Sequence, residues 1–337
     1  MSLYKLVRPI FFAMDPERAH DIALKGLNWL YKLGVLKLLP APVFAPNELM
    51  GIRFPNSVGL AAGLDKNAEY LDALSCFGFG FIEVGTVTPR PQPGNPKPRM
   101  FRLPEVGGII NRFGFNNVGL EQFIRNIEAS DYQGVLGINI GKNFDTPNER
   151  AIDDYLICLR RVYPYAHYIT VNISSPNTAN LRMLQERKAL GDLLAALKKE
   201  QKKLHQQHGR YVPIAIKIAP DIDTRQLRQM ADVMRKYKVD AIIATNTTIS
   251  RYEVEGLANS EQAGGLSGAP LRVRSTFVVE VLAEYLQGEI PIIAVGGIFS
   301  AEDTCEKIDA GASMVQLYSG LIYRGPSLVR EAAQAFT

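Results

Sequence analysis

The residues best placed by type and spacing to do chemistry are amides, hydroxyls, glycines and two lysines. Lys217 stands between Ile216 and Ile218, and a lysine facing into an apolar strand needs an anion or a task. Three roles suit it: Schiff-base nucleophile, stabiliser of an anionic cofactor, or half of a structural ion pair. Lys66, in GLDKN, is open between a solvated loop charge and a carboxylate clamp. Asn111, Asn116, Asn117, Asn139, Asn172, Asn177 and Asn246 fall at the ends of apolar runs or near a Pro/Gly-rich stretch. An amide both donates and accepts, so as a set they suit the alternating N–H and C=O edge of a pyrimidine or flavin ring. Any one of them alone would read as turn chemistry.

Gly296-Gly297, Gly320 beside Ser319, and Gly268 form three glycine clusters. Backbone N–H groups at such places cradle phosphate. The four histidines (His20, His167, His205, His208) do not follow apolar runs, nor do Cys76, Cys158 and Cys305. No cluster has metal-ligand spacing, so no metal is expected. Proton acceptors must then be hydroxyls, chiefly Ser174, Ser175 and the threonines near 245–248.

These residues need a frame to bring them together. Eight β-rich runs alternate with helical patterns: Val58–Ala61, Phe81–Gly85, Gly134–Asn139, Tyr168–Ile173, Ile214–Ile218, Ala241–Thr245, Ile292–Val295 and Met314–Tyr318. Runs apolar on both faces, each followed by a helix such as 190–205 or 223–237, mark a buried parallel sheet. Every run ends in amides, hydroxyls, glycines or a lysine, and a barrel collects such ends on one face. The expected fold is therefore α/β, a single (β/α)8 barrel, with an open doubly wound sheet as the alternative. Pro89–Phe115, after strand two, reads as a small hairpin excursion, and Gly264–Gly268 as a loop able to approach an anion.

Residues 1–40 form an N-terminal amphipathic arm and residues 41–337 the barrel. The arm holds six basic residues (Lys5, Arg8, Arg18, Lys25, Lys32, Lys37) against three acidic ones (Asp15, Glu17, Asp21). Asp15-Pro16-Glu17 is a helix start, followed by a stripe of Ile22, Gly26, Leu27, Leu30 and Leu33. Leu3, Leu6, Val7, Ile10, Phe11 and Met14 make a shorter stripe before it. Such stripes serve either packing on the domain or a bilayer interface. No run approaches the roughly 18 apolar residues of a membrane span, and no signal peptide is evident. Widely spaced cysteines suggest a reducing compartment. A net charge of +4 leaves no nucleic-acid footprint.

On residues alone, a Schiff-base aldolase or sugar-phosphate isomerase centred on Lys217 stays open, as does a non-catalytic phosphate-ligand barrel. A 2-hydroxy-acid oxidase would need a histidine at the mouth, and none is found there. Nine stretches decide the matter: GLAAGLDKN (59–67), EVGTVTPRPQPGNPKPR (83–99), NRFGFNN (111–117), GINIGKN (137–143), NISSPNT (172–178), IKIAPD (216–221), ATNTT (244–248), GGLSG (264–268) and QLYSG (316–320). In order and spacing they resemble the dihydroorotate dehydrogenase family, in its membrane-associated, quinone-using class.

The resemblance implies FMN held by Ala61, Ala62, Gly63, Leu64, Asp65, Lys66, Thr86, Asn139, Asn172, Lys217, Thr245, Gly268, Gly297, Tyr318 and Ser319. It implies dihydroorotate held by Lys66, Asn111, Arg112, Phe113, Gly114, Phe115, Asn172, Asn177, Asn246 and Thr247. Ser175, at the serine of NISSPN, becomes the catalytic base, with hydride passing from the neighbouring ring carbon to flavin N5. Lys66 would pair with the substrate carboxylate and Lys217 with the charge of the reduced flavin. The resemblance further implies a quinone acceptor near His20, Arg102 and Tyr318. It places the protein on the cytoplasmic face of the inner membrane, held to the lipid surface by the arm, in pyrimidine (UMP) biosynthesis.

Overall fold

The computed structural model describes residues 4–337, so Leu3 of the arm's first stripe lies outside the described residues. Two helices, α1 (Tyr4–Phe12) and α2 (Pro16–Lys32), precede the strands. The strands are β1 (Asn47–Leu49), β2 (Ile52–Phe54), β3 (Val58–Leu60), β4 (Phe81–Val87), β5 (Met100–Leu103), β6 (Gly108–Asn111), β7 (Val135–Ile140), β8 (Tyr168–Asn172), β9 (Ile214–Ile218), β10 (Ala241–Ala244), β11 (Gly265–Gly268), β12 (Ile292–Val295) and β13 (Met314–Leu317). Strands β3, β4, β7, β8, β9, β10, β12 and β13 close into a parallel barrel. These are the eight expected runs, and the closure excludes the open sheet.

Successive strand residues point to opposite faces. Ile82, Val84, Ile138, Val171, Ile216, Ile242 and Val315 face outward into one large cluster with the surrounding helices. Phe81, Tyr168, Ala241, Ile293 and Met314 face inward and fill the lower barrel. Two glycines make room for the rings: a Cβ on Gly59 would lie 2.2 Å from the Phe81 ring, and one on Gly137 2.3 Å from that of Tyr168. The β1–β2 hairpin, absent from the sequence reading, closes the amino end, where Phe54 packs edge-on against Phe81. The interior is thus plugged below, and the mouth opens at the carboxyl end.

Over that end lies the excursion. β5 and β6 form the expected hairpin, and β11 joins it antiparallel to β6. Gly264–Gly268 is therefore mostly a strand rather than a free loop. Leu266 explains the difference, because it is buried with Leu103, Ile110 and Val254, while Ser267 turns to the mouth.

The arm packs on the barrel through one face only. Asp15 caps α2 by accepting from the Arg18 N–H at 2.9 Å, and Pro16 occupies its first turn. Ala19 and Leu24 are buried, while Leu6, Ile10, Trp29, Leu33 and Leu38 remain exposed. Glu17 ties the arm down through the Arg99 guanidinium at 2.8 Å. No helix among the described residues is long and apolar enough to cross a membrane.

Candidate active site

The carboxyl ends of the barrel strands surround a cavity open on one side. After β3 come Ala61, Ala62, Gly63 and Lys66; β4 and β8 add Thr86 and Asn172; β9 and β10 lead to Lys217, Thr245, Asn246 and Thr247. The excursion supplies Asn111, Phe113, Gly114, Phe115 and Gly268, and the loop after β8 brings Ser175 and Asn177. Gly297, Tyr318 and Ser319 complete the wall.

One quadrant is built from glycine and hydroxyl. Gly268, Gly296 and Gly297 hold φ of 97°, 120° and 77°, in the left-handed region. A Cβ on Gly297 would stand 2.3 Å from the Arg272 Cα, so only glycine fits there. Ser319 Oγ donates to Ser267 Oγ at 2.9 Å beside them. These glycines, with Ser319, suit a phosphate.

The opposite side is amide-rich. Asn172 Nδ2 donates to Thr86 Oγ1 at 3.1 Å, and Asn246 Nδ2 to Ser174 Oγ at 2.9 Å. Asn177 Nδ2 reaches the carbonyl of Asn111 at 3.1 Å, joining the loop after β8 to the excursion. Ser175 is buried, and its Oγ accepts from the Asn177 N–H at 3.2 Å. Among the described residues no side chain takes the hydroxyl proton of Ser175.

Both lysines are partly desolvated. Lys217 is buried without a hydrogen-bond partner among the described residues; burial lowers its pKa and the charge of Glu83 opposes the shift. Lys66 sits with Nζ 4.1 Å from the centre of the Phe113 ring. Burial brings the Lys66 ammonium down to about 8, with Glu17 partly restoring it and Arg99 lowering it further.

Several expected residues lie off the cavity wall. Leu64 packs in the outer core. Asp65 accepts from the N–H groups of Glu69 and Tyr70 at 3.0 and 2.8 Å, bracing the turn that carries Lys66. Asn139 is buried behind Thr86, whose hydroxyl donates to it at 2.6 Å. Arg112 turns outward to Pro98 and Gln262 and stacks on Phe101. Arg102 donates to the Phe12 and Met14 carbonyls at the arm seam. His20 is packed near Lys66; burial, then the lysine charge, lower its pKa to about 3 and keep the imidazole neutral. Tyr318 alone of the three expected quinone residues lines the cavity, its OH donating to the Gly63 carbonyl at 3.2 Å.

The sequence reading did not single out Glu83, Ser267 or Gln316. Ser267 and Gln316 line the cavity and Glu83 lies beneath it. The signal was available, since Glu83 and Gln316 are lone polar residues at inward positions of otherwise apolar strands.

A closed parallel barrel with its amides, hydroxyls, glycines and lysines gathered at one mouth defines a (β/α)8-barrel enzyme. Comparison with known proteins makes this specific. The sequence model of the dihydroorotate dehydrogenase family matches residues 45–336, and the chain belongs to that family as an oxidoreductase. It is 64% identical to a protein of Methylobacillus flagellatus named dihydroorotate dehydrogenase (quinone), covering 97% of each chain. A protein of the same name from Thiobacillus denitrificans is 61% identical, with 98% of each covered. The crystal structure of DHODH from Eimeria tenella in complex with ferulenol superposes with a TM-score of 0.87 at 40% identity, covering 95% of this chain and 90% of that one.

Proposed function

We propose that the protein oxidises dihydroorotate to orotate with a quinone as electron acceptor, using FMN, in de novo UMP biosynthesis. The relatives' shared name, dihydroorotate dehydrogenase (quinone), supports the substrate pair. FMN, when bound, supplies a two-electron acceptor that takes hydride and passes electrons on singly or in pairs. The protein's part is to bind, orient and move a proton.

The mouth fits such a group. A phosphate has the glycine quadrant, and a ring edge has Asn172, Thr245 and Gln316. Gln316 Oε1 is buried with no hydrogen-bond partner, and Lys217 Nζ also lacks one, which suits a ring bearing both an N–H and anionic character. The meeting of this unpartnered Lys217 with Ser175 and Lys66 in one cavity carries the reading. Lys66 holds the substrate carboxylate and Asn111, Asn177, Asn246 and Thr247 read its ring. Ser175 Oγ removes the ring proton while its own hydroxyl proton passes to a water in the open cavity, and the Asn177 N–H orients the hydroxyl by donating to Oγ. Asp65 and Asn139 act one step back, through Lys66 and Thr86.

Residues 1–40 form the membrane-facing arm and residues 41–337 the catalytic barrel. The exposed apolar residues of α1 and α2, with the arm's basic excess, lie on the lipid surface at the cytoplasmic face of the inner membrane. The quinone enters between arm and barrel, near His20, Arg102 and Tyr318.

The test is an absorbance spectrum of the purified protein, repeated without oxygen after dihydroorotate is added. A yellow flavin spectrum that bleaches supports the whole reductive half. A yellow protein that stays yellow removes the substrate, and a colourless protein that cannot take up FMN removes the cofactor and returns attention to Lys217 as a nucleophile.

A further inference from the structure

A carboxylate sits at the centre of the barrel, directly below the amide wall. Glu83 is fully buried on β4. Its oxygens accept from Asn139 Nδ2 at 2.8 Å, Gln316 Nε2 at 2.7 Å, Tyr168 OH at 2.8 Å and Thr170 Oγ1 at 3.1 Å. No cation lies within the 4.0 Å of an ion pair among the described residues, so neutral donors replace its lost water. Four donors fill the roughly four lone-pair sites of a carboxylate, and a hydrophobic residue would pack in the same core at lower cost.

The consequence lies in polarity. A carboxylate only accepts, so both amides must turn their NH2 groups to it. The reverse arrangement would set two amide oxygens against a group carrying at most one proton. With its NH2 committed, Asn139 can offer only Oδ1 to Thr86, whose hydroxyl donates to it at 2.6 Å. The lone pair of Thr86 Oγ1 then accepts from Asn172 Nδ2 at 3.1 Å. Asn172 Oδ1 is left to accept from the N–H and hydroxyl of Ser174 at 3.2 and 3.0 Å. On the other branch, Gln316 is committed through Nε2, and this is why its Oε1 is the buried oxygen without a partner.

We propose that Glu83 is a positioning residue that fixes the donor and acceptor pattern of the cofactor wall, through Asn139, Thr86, Asn172 and Gln316. Glu83 touches neither ring nor substrate and acts only through these side chains. The inference rests on the FMN reading above.

Glu83→Gln is the informative variant, because it keeps the shape and introduces an NH2 that at least one neighbouring amide must turn away from. FMN affinity, measured by titrating the deflavinated chain, is expected to fall at least tenfold. The midpoint potential of the bound FMN is expected to rise by a tenfold preference, about 30 mV for a two-electron couple, because a negative charge beneath the ring is lost. Thr86→Val guards against a folding failure. It leaves Glu83 and its four partners intact but cuts the chain to Asn172, so it should weaken FMN binding tenfold while moving the potential less than Glu83→Gln. Thr170→Val removes a donor without touching the amide chain and should change neither quantity. Wild-type affinity and potential in Glu83→Gln, or in Thr86→Val should Glu83→Gln not fold, would overturn the proposal. So would an equal shift in Thr170→Val, which would mark the effect as core packing. A wild-type chain that takes up no FMN is a separate failure, that of the flavin reading itself.

Discussion

At the scale of single residues, the proposed reaction asks Ser175 to act as a base without the histidine that usually activates a serine. Its surroundings supply part of the answer, because burial shields it from bulk water and the Asn177 N–H fixes the direction of one lone pair. A positioned base contributes about 10²–10⁴ in rate. Ser175→Ala is therefore expected to bind dihydroorotate normally and to slow flavin reduction by that range; near-normal reduction in stopped flow would remove Ser175 from the role. Lys66 makes a second prediction through its proton. Only the ammonium pairs with the substrate carboxylate, and in the free enzyme burial lowers that ammonium to about 8. Affinity for dihydroorotate should thus hold below pH 8 and fall as pH rises through it, with the limb moved upward in Lys66→Arg, whose guanidinium stays charged. Initial rates at sub-saturating substrate would show a flat alkaline profile if Lys66 were not the clamp. Much of this was legible in the sequence, because Ser175, Lys66 and Lys217 each follow an apolar run. Glu83 was not read because FIEVGTV looks like a uniform strand until the inward face is known. Asp65 and Arg112 turn their side chains off the cavity wall, which a motif does not foretell, since it gives a residue's position but not which way its side chain turns.

At the scale of elements, one ion pair ties the arm to the excursion. Glu17 meets Arg99 at 2.8 Å and Lys97 at 3.2 Å. Arg99 also donates to the carbonyls of Pro93 and Asn95, and Asn95 reaches the carbonyl of Arg112. The arm and the excursion over the mouth are therefore braced by the same guanidinium. Removing one partner of a buried pair costs about 3–5 kcal/mol, and the low end applies here because Arg99 keeps its two carbonyls. Glu17→Ala should lower the thermal midpoint and expose the arm to limited proteolysis before the barrel; an unchanged cleavage order would show that the pair does not hold it. The pair also sets an acid limit. Burial alone would raise the Glu17 carboxyl, but the hydrogen bonds and charges of Arg99 and Lys97 hold it below 4.5. A carboxyl lowered by folding adds stability above its unfolded value and loses it as pH falls through the folded one. The arm should loosen below pH 4.5, and Glu17→Gln should abolish that dependence. The eight barrel strands were readable because each is a short apolar run with a polar end. The β1–β2 hairpin and β11 were not, because NEL, IRF and GLSG mix polar residues or glycines into three or four positions and show no apolar run.

At the scale of the whole molecule, two surfaces of opposite character are joined by a short path. The mouth is polar and closed over by the excursion, while the far side of the arm presents Leu6, Ile10, Trp29, Leu33 and Leu38 to solvent. Between them lies an apolar seam of Met100, Ile109, Phe113 and Tyr323, packed by Phe12 and Phe299. Phe113 belongs both to this seam and to the cavity wall. In the proposed reading a long-chain quinone entering from lipid meets the apolar side chains of this seam before it reaches the cofactor wall. Apolar surface left in water on two adjacent helices costs about 25 cal/mol per Å², which an interface recovers. Deleting residues 1–40 should then abolish reduction of a long-chain quinone and recovery with membranes, while FMN remains bound and dihydroorotate still bleaches it. Replacing Leu6, Ile10 and Trp29 by serine in the full chain should lose vesicle binding with the reductive half unaffected, separating attachment from folding. An unaltered rate with the long-chain quinone after the deletion would show that electrons leave by another face. The arm would then be a packing element whose exposed stripe has some other occupant.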